Sequence, residues 1–178
     1  SLISVVAILL AYKPVTNIIP VRFSSSFDKQ KQTAALRIMS WNVEHFDILE
    51  HKNHPEKKQQ MLQLINQYQP DIACYQEMVG SDKNSKAINY IPDMIQGEGF
   101  TDYHYSFNPK LDFDGNHHFG IIIFSKHPIV NKQTISFYPN DYNSIFQYAD
   151  IVKEADTVRV FNIHLQSLKF SATNLEYI

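Results

Sequence analysis

Asp71-Ile-Ala-Cys-Tyr-Gln-Glu77 is the stretch on which the reading of this chain turns. Ile72 to Tyr75 is a short apolar run preceded by Pro70, and the polarity switches abruptly at Gln76-Glu77. A run of this kind predicts a buried strand, here ending in a carboxylate. Such a strand delivers charge to the rim of a sheet, where open α/β sheets place their ligands. What Glu77 does then depends on what else reaches that rim.

Upstream, Leu36-Arg-Ile-Met-Ser-Trp-Asn42 predicts the first core strand, with Leu36, Ile38, Ser40 and Asn42 sharing one face. Residues 44–54 read as a polar loop. Met61, Leu62, Leu64, Ile65 and Tyr68 recur at helical spacing, which predicts an amphipathic helix over 56–69 with Pro55 at its first turn. The order strand, helix, strand is a βαβ signal and makes the two strands parallel neighbours. Asn42 and Glu77 then end at the same edge. A carboxylate beside a neutral amide suits Mg²⁺, which takes oxygen ligands, keeps several waters and often uses only one or two carboxylates. Read singly, Asn42 is a turn residue and Glu77 a solvated strand end.

Downstream, a helix is predicted over 86–95, complicated by Pro92 and ended by Gly97 and Gly99. Five strand-like segments follow, over 103–107, 119–125, 129–138, 144–153 and 157–165. Turn chemistry joins them at Asn108-Pro109, Asp114-Gly-Asn116, His127-Pro128 and Pro139-Asn-Asp141. The class expected is α/β, as a mixed sheet or two sheets face to face with helices outside. The last segment, Val160-Phe-Asn-Ile-His-Leu165, puts Asn162 and His164 on one face of a strand. Two polar groups in so apolar a setting need partners, whether each other, water or a ligand. A histidine there could contact a phosphate oxygen or move a proton near neutral pH. A satisfied core histidine is the plain alternative.

Composition narrows the classes. The 178 residues fit one domain with a sizeable core, 44% apolar and 19% charged. A net charge of -2 gives no global basic field for nucleic acid, which leaves room only for a local basic groove. The single cysteine, Cys74, forms no internal disulfide and reads as a small core residue rather than a nucleophile. There is no P-loop, no Gly-x-Ser-x-Gly and no Cys-His arrangement. Adjacent His117 and His118 would point to opposite faces of a strand. His45, His51 and His54 lie in the polar loop without metal-ligand spacing. Lys57-Lys58 reads as a solvated helix face. Residues 1–12 carry no charged side chain and are nearly all apolar. They read as the end of a transmembrane helix, with a signal peptide of a secreted protein or a buried helix as alternatives. Residues 13–35, rich in Ser, Pro, Lys and Gln, read as a linker to a domain over 36–178.

Ser40-Trp-Asn-Val43, Tyr75-Gln-Glu77, Gly120-Ile-Ile-Ile-Phe-Ser-Lys-His-Pro-Ile129 and Asn162-Ile-His-Leu165 occur in that order. In these motifs the chain resembles the endonuclease/exonuclease/phosphatase superfamily, over about Leu36 to Leu165. The resemblance implies a DNase I-like four-layered α/β sandwich and Mg²⁺-dependent hydrolysis of phosphoesters, with Mn²⁺ as the alternative ion. It implies that Glu77 is the principal metal ligand and that Asn42 helps arrange the metal and the phosphate. His164 would contact the scissile phosphate and assist the leaving group, with Asn162 beside it on the phosphate-facing side. Gly120 to Ile129 would be structural. Tyr75 stands where many members have leucine. The later family motifs, a Gly-Asp-x-Asn segment and a water-activating Asp-His pair, do not occur in the 178 residues, and Asn140-Asp141 and Asp150 lack their neighbours. The chain is therefore expected to be the N-terminal part of such a domain, inactive alone. The expected partner is a phosphoester, whether nucleic acid, phospholipid or small phosphate ester. A membrane tether would favour lipid or surface-bound substrates, and no protein partner is expected. The rival from another class is a non-catalytic binding or scaffold protein that retains the fold.

Overall fold

In the computed structural model of the chain, the residues described are 30–32, 34–50, 52–82, 88–108, 116–136 and 145–165. The chain divides into two compact units, Ser1–Lys31 and Gln32–Ile178, and nearly all the described residues belong to the second. The apolar segment 1–12, most of the linker, His51 and Asn140-Asp141 lie outside the described residues. Among the described residues no helix is long and apolar enough to cross a membrane.

β1 (Ile38–Asn42) and β2 (Ile72–Ser81) pair in parallel, from Ile38 beside Ile72 to Asn42 beside Gln76. The crossover between them carries α1 (Glu56–Tyr68), which buries Ile65 and ends at Gln69. Gln69 adopts a left-handed φ of 45°, and its N–H donates back to the Ile65 carbonyl at 3.0 Å. β3 (Asp102–Phe107) and β4 (His117–Ser125) complete a mixed sheet of order β1-β2-β4-β3. β4 is buried along almost its whole length, which is why its sequence reads as a continuous apolar run rather than an alternation. Gly120 permits the close approach of β3, because a Cβ there would lie 2.0 Å from the Ser106 carbonyl oxygen. Between β2 and β3 runs α2 (Ile91–Glu98), closed by Gly99 at φ 72°. The helix expected over 86–95 thus starts later. Pro92 lies in its first turn, where a missing N–H costs nothing, and Gly97 is inside it.

β5 (Ile129–Ser136), β6 (Ile145–Lys153) and β7 (Asp156–His164) form an antiparallel sheet in that order. It packs against the first sheet, β6 and β7 facing β4. Ile72, Cys74 and Ile123 from one sheet meet Ala149, Ile151 and Val160 from the other. Each isoleucine removed from water there contributes about 1.5–3 kcal/mol. The opposite face of the mixed sheet carries Ala73, Tyr75, Ile122 and Phe124 into a second core with Ile65, Met94 and Phe100. Among the described residues the layers run helices, mixed sheet, antiparallel sheet, three of the four layers expected.

The segment Glu44–Glu50, expected as a polar loop, is a short helical stretch that buries Phe46 and Ile48. Four successive residues, Glu44 to Asp47, have φ between 46° and 55°, a left-handed turn without a single glycine. Lys57-Lys58, expected as a solvated helix face, is open to solvent but paired. Lys57 pairs with Asp47 of that turn, and Lys58 bonds Asp93 of α2 while lying over the Tyr90 ring.

Candidate active site

The polar groups collect where β1 ends. Asn42 Nδ2 donates to Glu77 Oε1 at 2.9 Å. Its Oδ1 accepts the Glu44 N–H at 3.0 Å, an Asx turn that starts the left-handed run. One amide therefore both holds the carboxylate and turns the chain. Sequence reasoning placed Asn42 among the metal ligands. In this geometry its oxygen is occupied by a backbone donor, and what it offers Glu77 is an N–H.

Glu77 itself is not at a strand end, since β2 runs on to Ser81. It sits at a β-bulge where the pairing with β4 slips between Tyr75 and Met78. Its φ of 55° is left-handed, costly for a non-glycine residue. A bulge re-aims a side chain out of the strict alternation, and here the residue before it, Gln76, is buried while Glu77 is 24% exposed. Its Oε2 makes no hydrogen bond among the described residues and faces His45 Nδ1 at 3.9 Å.

His164, the last residue of β7, brings Nε2 to 3.4 Å from Glu77 Oε1 and is mostly buried. The two sheets thus each contribute one group. Asn162 goes elsewhere: at 2% exposure its Nδ2 donates to the carbonyls of Tyr75 and Ile122 and its Oδ1 accepts from Gln76. Both amide hydrogens are used within the protein, so none is left for a phosphate.

His45 is the residue that the sequence pattern did not single out. The left-handed turn brings it back to Glu77, edge-on against the Phe119 ring at 4.7 Å. Burial, the largest influence, holds its pKa below the ordinary 6.5 against the opposing pull of Glu77 and Glu44, while His164 adds to the lowering. Its Nε2 is buried without a hydrogen-bond partner among the described residues. Glu44, His45, Asp47, Ile48, Leu49 and Glu77 line a cavity of ≈ 200 Å³. Glu44 and Glu77, with Asp47 already paired to Lys57, make the local field favourable to a cation. Among the described residues no three His, Cys, Asp or Glu side chains stand as a ready-made metal cage. Glu77, with one oxygen engaged by the Asn42 N–H and the other free of hydrogen bonds among the described residues, fits a hard ion that keeps most of its waters.

The other candidates have local partners. His117 Nε2 accepts the Ile88 N–H at 3.1 Å, and His118 Nε2 pairs with Asp82 at 3.1 Å. His54 faces Glu56 at 3.6 Å. Cys74 is buried, its thiol pushed up to about 12 by desolvation, which rules it out as a nucleophile near neutral pH.

The pattern of the Endonuclease/Exonuclease/phosphatase family matches residues 39–170. Comparison with curated proteins gives no match. Among solved structures, an endonuclease/exonuclease/phosphatase family protein from Leptotrichia buccalis is similar, at TM-score 0.56 and 20% identity, covering 74% of this chain and 55% of that one. A second, from Beutenbergia cavernae, gives TM-score 0.56 at 16% identity, over 79% of this chain and 40% of that one. Truncated TDP2 from Caenorhabditis elegans gives 0.53 at 19% identity, over 75% and 48%. These likenesses are of fold, and the chain spans about half the length of the solved proteins it matches.

Proposed function

Since this chain belongs to the endonuclease/exonuclease/phosphatase family, we propose that it forms part of a divalent-metal-dependent phosphoester hydrolase centred on Glu77. The observation that carries this is the placement of Glu77. It is a left-handed bulge residue inside β2, held by Asn42 and flanked by histidines from two different elements. Backbone strain of this kind persists only where the surroundings over-determine it, and it clusters at active sites. Glu77 would hold Mg²⁺, or Mn²⁺ in its stead, through the oxygen that Asn42 leaves free. When bound, the ion supplies charge neutralisation at the phosphate and stabilises the leaving oxygen. Asn42 fixes the carboxylate from behind. His164 Nε2 donates to a phosphate oxygen or hands a proton to the leaving group. His45, whose pKa burial lowers, takes up a proton less readily beside the ion than an exposed imidazole would. These side chains account for binding and charge, and activation of the attacking water is assigned to none of them.

The test is hydrolysis of bis-p-nitrophenyl phosphate by the full-length protein. Turnover is expected to vanish with EDTA and return with Mg²⁺. Glu77→Gln should lower kcat by more than about 100-fold, the upper end of what loss of an outer-shell partner costs a metal site. Wild-type turnover by Glu77→Gln at saturating Mg²⁺ would remove Glu77 from the site. A wild-type protein that never turns over would favour the scaffold reading.

A further inference from the structure

The register break that aims Glu77 is fastened from the opposite sheet. β2 and β4 match up to Tyr75 with Ile122 and resume at Met78 with Gly120, so Gln76 and Glu77 together stand opposite Ile121. A bulge disrupts its ladder locally. Asn162 of β7 reaches across to this point, its Nδ2 donating to the Tyr75 carbonyl at 3.0 Å and the Ile122 carbonyl at 2.9 Å. Those two residues are the last matched pair before the break. The Asn162 Oδ1 accepts from Gln76 Nε2 at 2.7 Å, and the same Nε2 lies 3.3 Å from both Ser40 Oγ and the Cys74 carbonyl. Asn162 and Gln76 are both buried, where a hydrogen bond is electrostatically stronger and a lost partner costs most.

The two amides lie directly behind the two groups that carry chemistry. Glu77 follows Gln76 in β2. His164 follows Asn162 by two residues on the same face of β7 and ends 3.4 Å from Glu77 Oε1. We propose that Asn162 and Gln76 are positioning residues, locking the Glu77 bulge and setting the spacing of the sheets so that Glu77 and His164 share one site. This rests on the metal-dependent site proposed above. An ordinary inter-sheet bond would affect stability alone. A positioning pair also moves the Glu77 backbone and the metal it holds.

The experiment uses the full-length protein with Asn162→Ala and, separately, the volume-conserving Gln76→Met. Three quantities are measured: the backbone conformation at Glu77 from its NMR Cα and Cβ shifts, Mn²⁺ affinity by calorimetry, and kcat and KM on bis-p-nitrophenyl phosphate. In Asn162→Ala the Glu77 shifts should move toward extended values. Mn²⁺ affinity should fall about 10–100-fold and kcat likewise, with KM nearly unchanged. Unmoved Glu77 shifts with Mn²⁺ affinity within about twofold of wild type, beside a lower Tm, would overturn the inference. If Asn162→Ala does not fold, Gln76→Met decides: moved Glu77 shifts support the lock, and unmoved shifts sink it. The NMR readout needs neither metal nor turnover. A wild type that binds no Mn²⁺ and hydrolyses nothing therefore defeats the hydrolase reading without deciding the lock.

Discussion

At the scale of single residues, the site is governed by which atom of an amide faces which neighbour. Asn42 has one oxygen and one NH₂ group, and the Glu44 N–H claims the oxygen. The carboxylate of Glu77 therefore meets N–H, a charge-assisted hydrogen bond that fixes its rotamer. Asn42→Ala should weaken Mn²⁺ binding by about 10–100-fold, as loss of an orienting partner does. Its side chain is exposed, so stability should fall only by about 1 kcal/mol, the net worth of a hydrogen bond. Calorimetric titration beside a urea melt separates the two effects. An equal loss in both would make Asn42 a turn residue and nothing more. The position of Asn42 was legible in the sequence. Which end of its amide faces Glu77 was not, because residue type alone does not say which end is already engaged.

Among the elements, α2 carries a carboxylate where a helix least accommodates one. Glu98 is the last helical residue, at the negative end of the helix dipole, and is 6% exposed. Its Oε1 accepts from Asn66 Nδ2 of α1 at 3.1 Å. Burial raises its pKa above the ordinary 4.5, with Lys126 opposing the shift. Below pH 4.5 the carboxyl is protonated both folded and unfolded, and it costs nothing. As pH rises through 4.5 the unfolded chain ionises first, so stability falls until the folded carboxyl has ionised too. Glu98→Gln keeps the acceptor for Asn66 and removes the charge. It should stabilise the chain at pH 7 by about 0.3–1 kcal/mol from the helix-end charge alone, with the advantage gone near pH 4. Thermal melts of both proteins across that range measure it. A Gln variant less stable at pH 7 would mean that the Lys126 attraction outweighs burial. Gly99 marks the end of this helix in the sequence, whereas Pro92, read there as a complication inside it, sits in its first turn. The burial of Glu98 came only with α1 packed against α2.

At the scale of the molecule, the described residues stack two sheets, and apolar runs and alternation within the strands decided most of what could be read in advance. The seven strands among the described residues and the parallel β1–β2 pair followed from period and order. The Glu77 bulge and the left-handed turn over Glu44 to Asp47 did not. Neither contains the glycine that usually announces positive φ; the bulge is held by Asn162 from the other sheet, and the turn starts on the local Asx bond of Asn42, two residues upstream. β7 shows the same limit. In Val160-Phe-Asn-Ile-His-Leu165 it is Asn162 that faces inward, while Phe161 is 52% exposed and Ile163 also lies open. With Ile135 and the Phe146 ring, 5.4 Å from that of Phe161, they form an apolar outer face on the antiparallel sheet. Among the described residues β7 is also an edge of that sheet. An exposed apolar edge strand is a template for association between chains. The 178-residue chain should therefore bind the dye ANS and self-associate as its concentration rises. Phe161→Lys should lower both, because the charge faces solvent and repels a second edge. It loses the contacts with Phe146 and Tyr148, worth about 0.5–1.5 kcal/mol each, so a small fall in Tm should accompany the gain in solubility. Light scattering and a thermal melt on the same samples check the two signs together. Undiminished association in Phe161→Lys would place the sticky surface elsewhere.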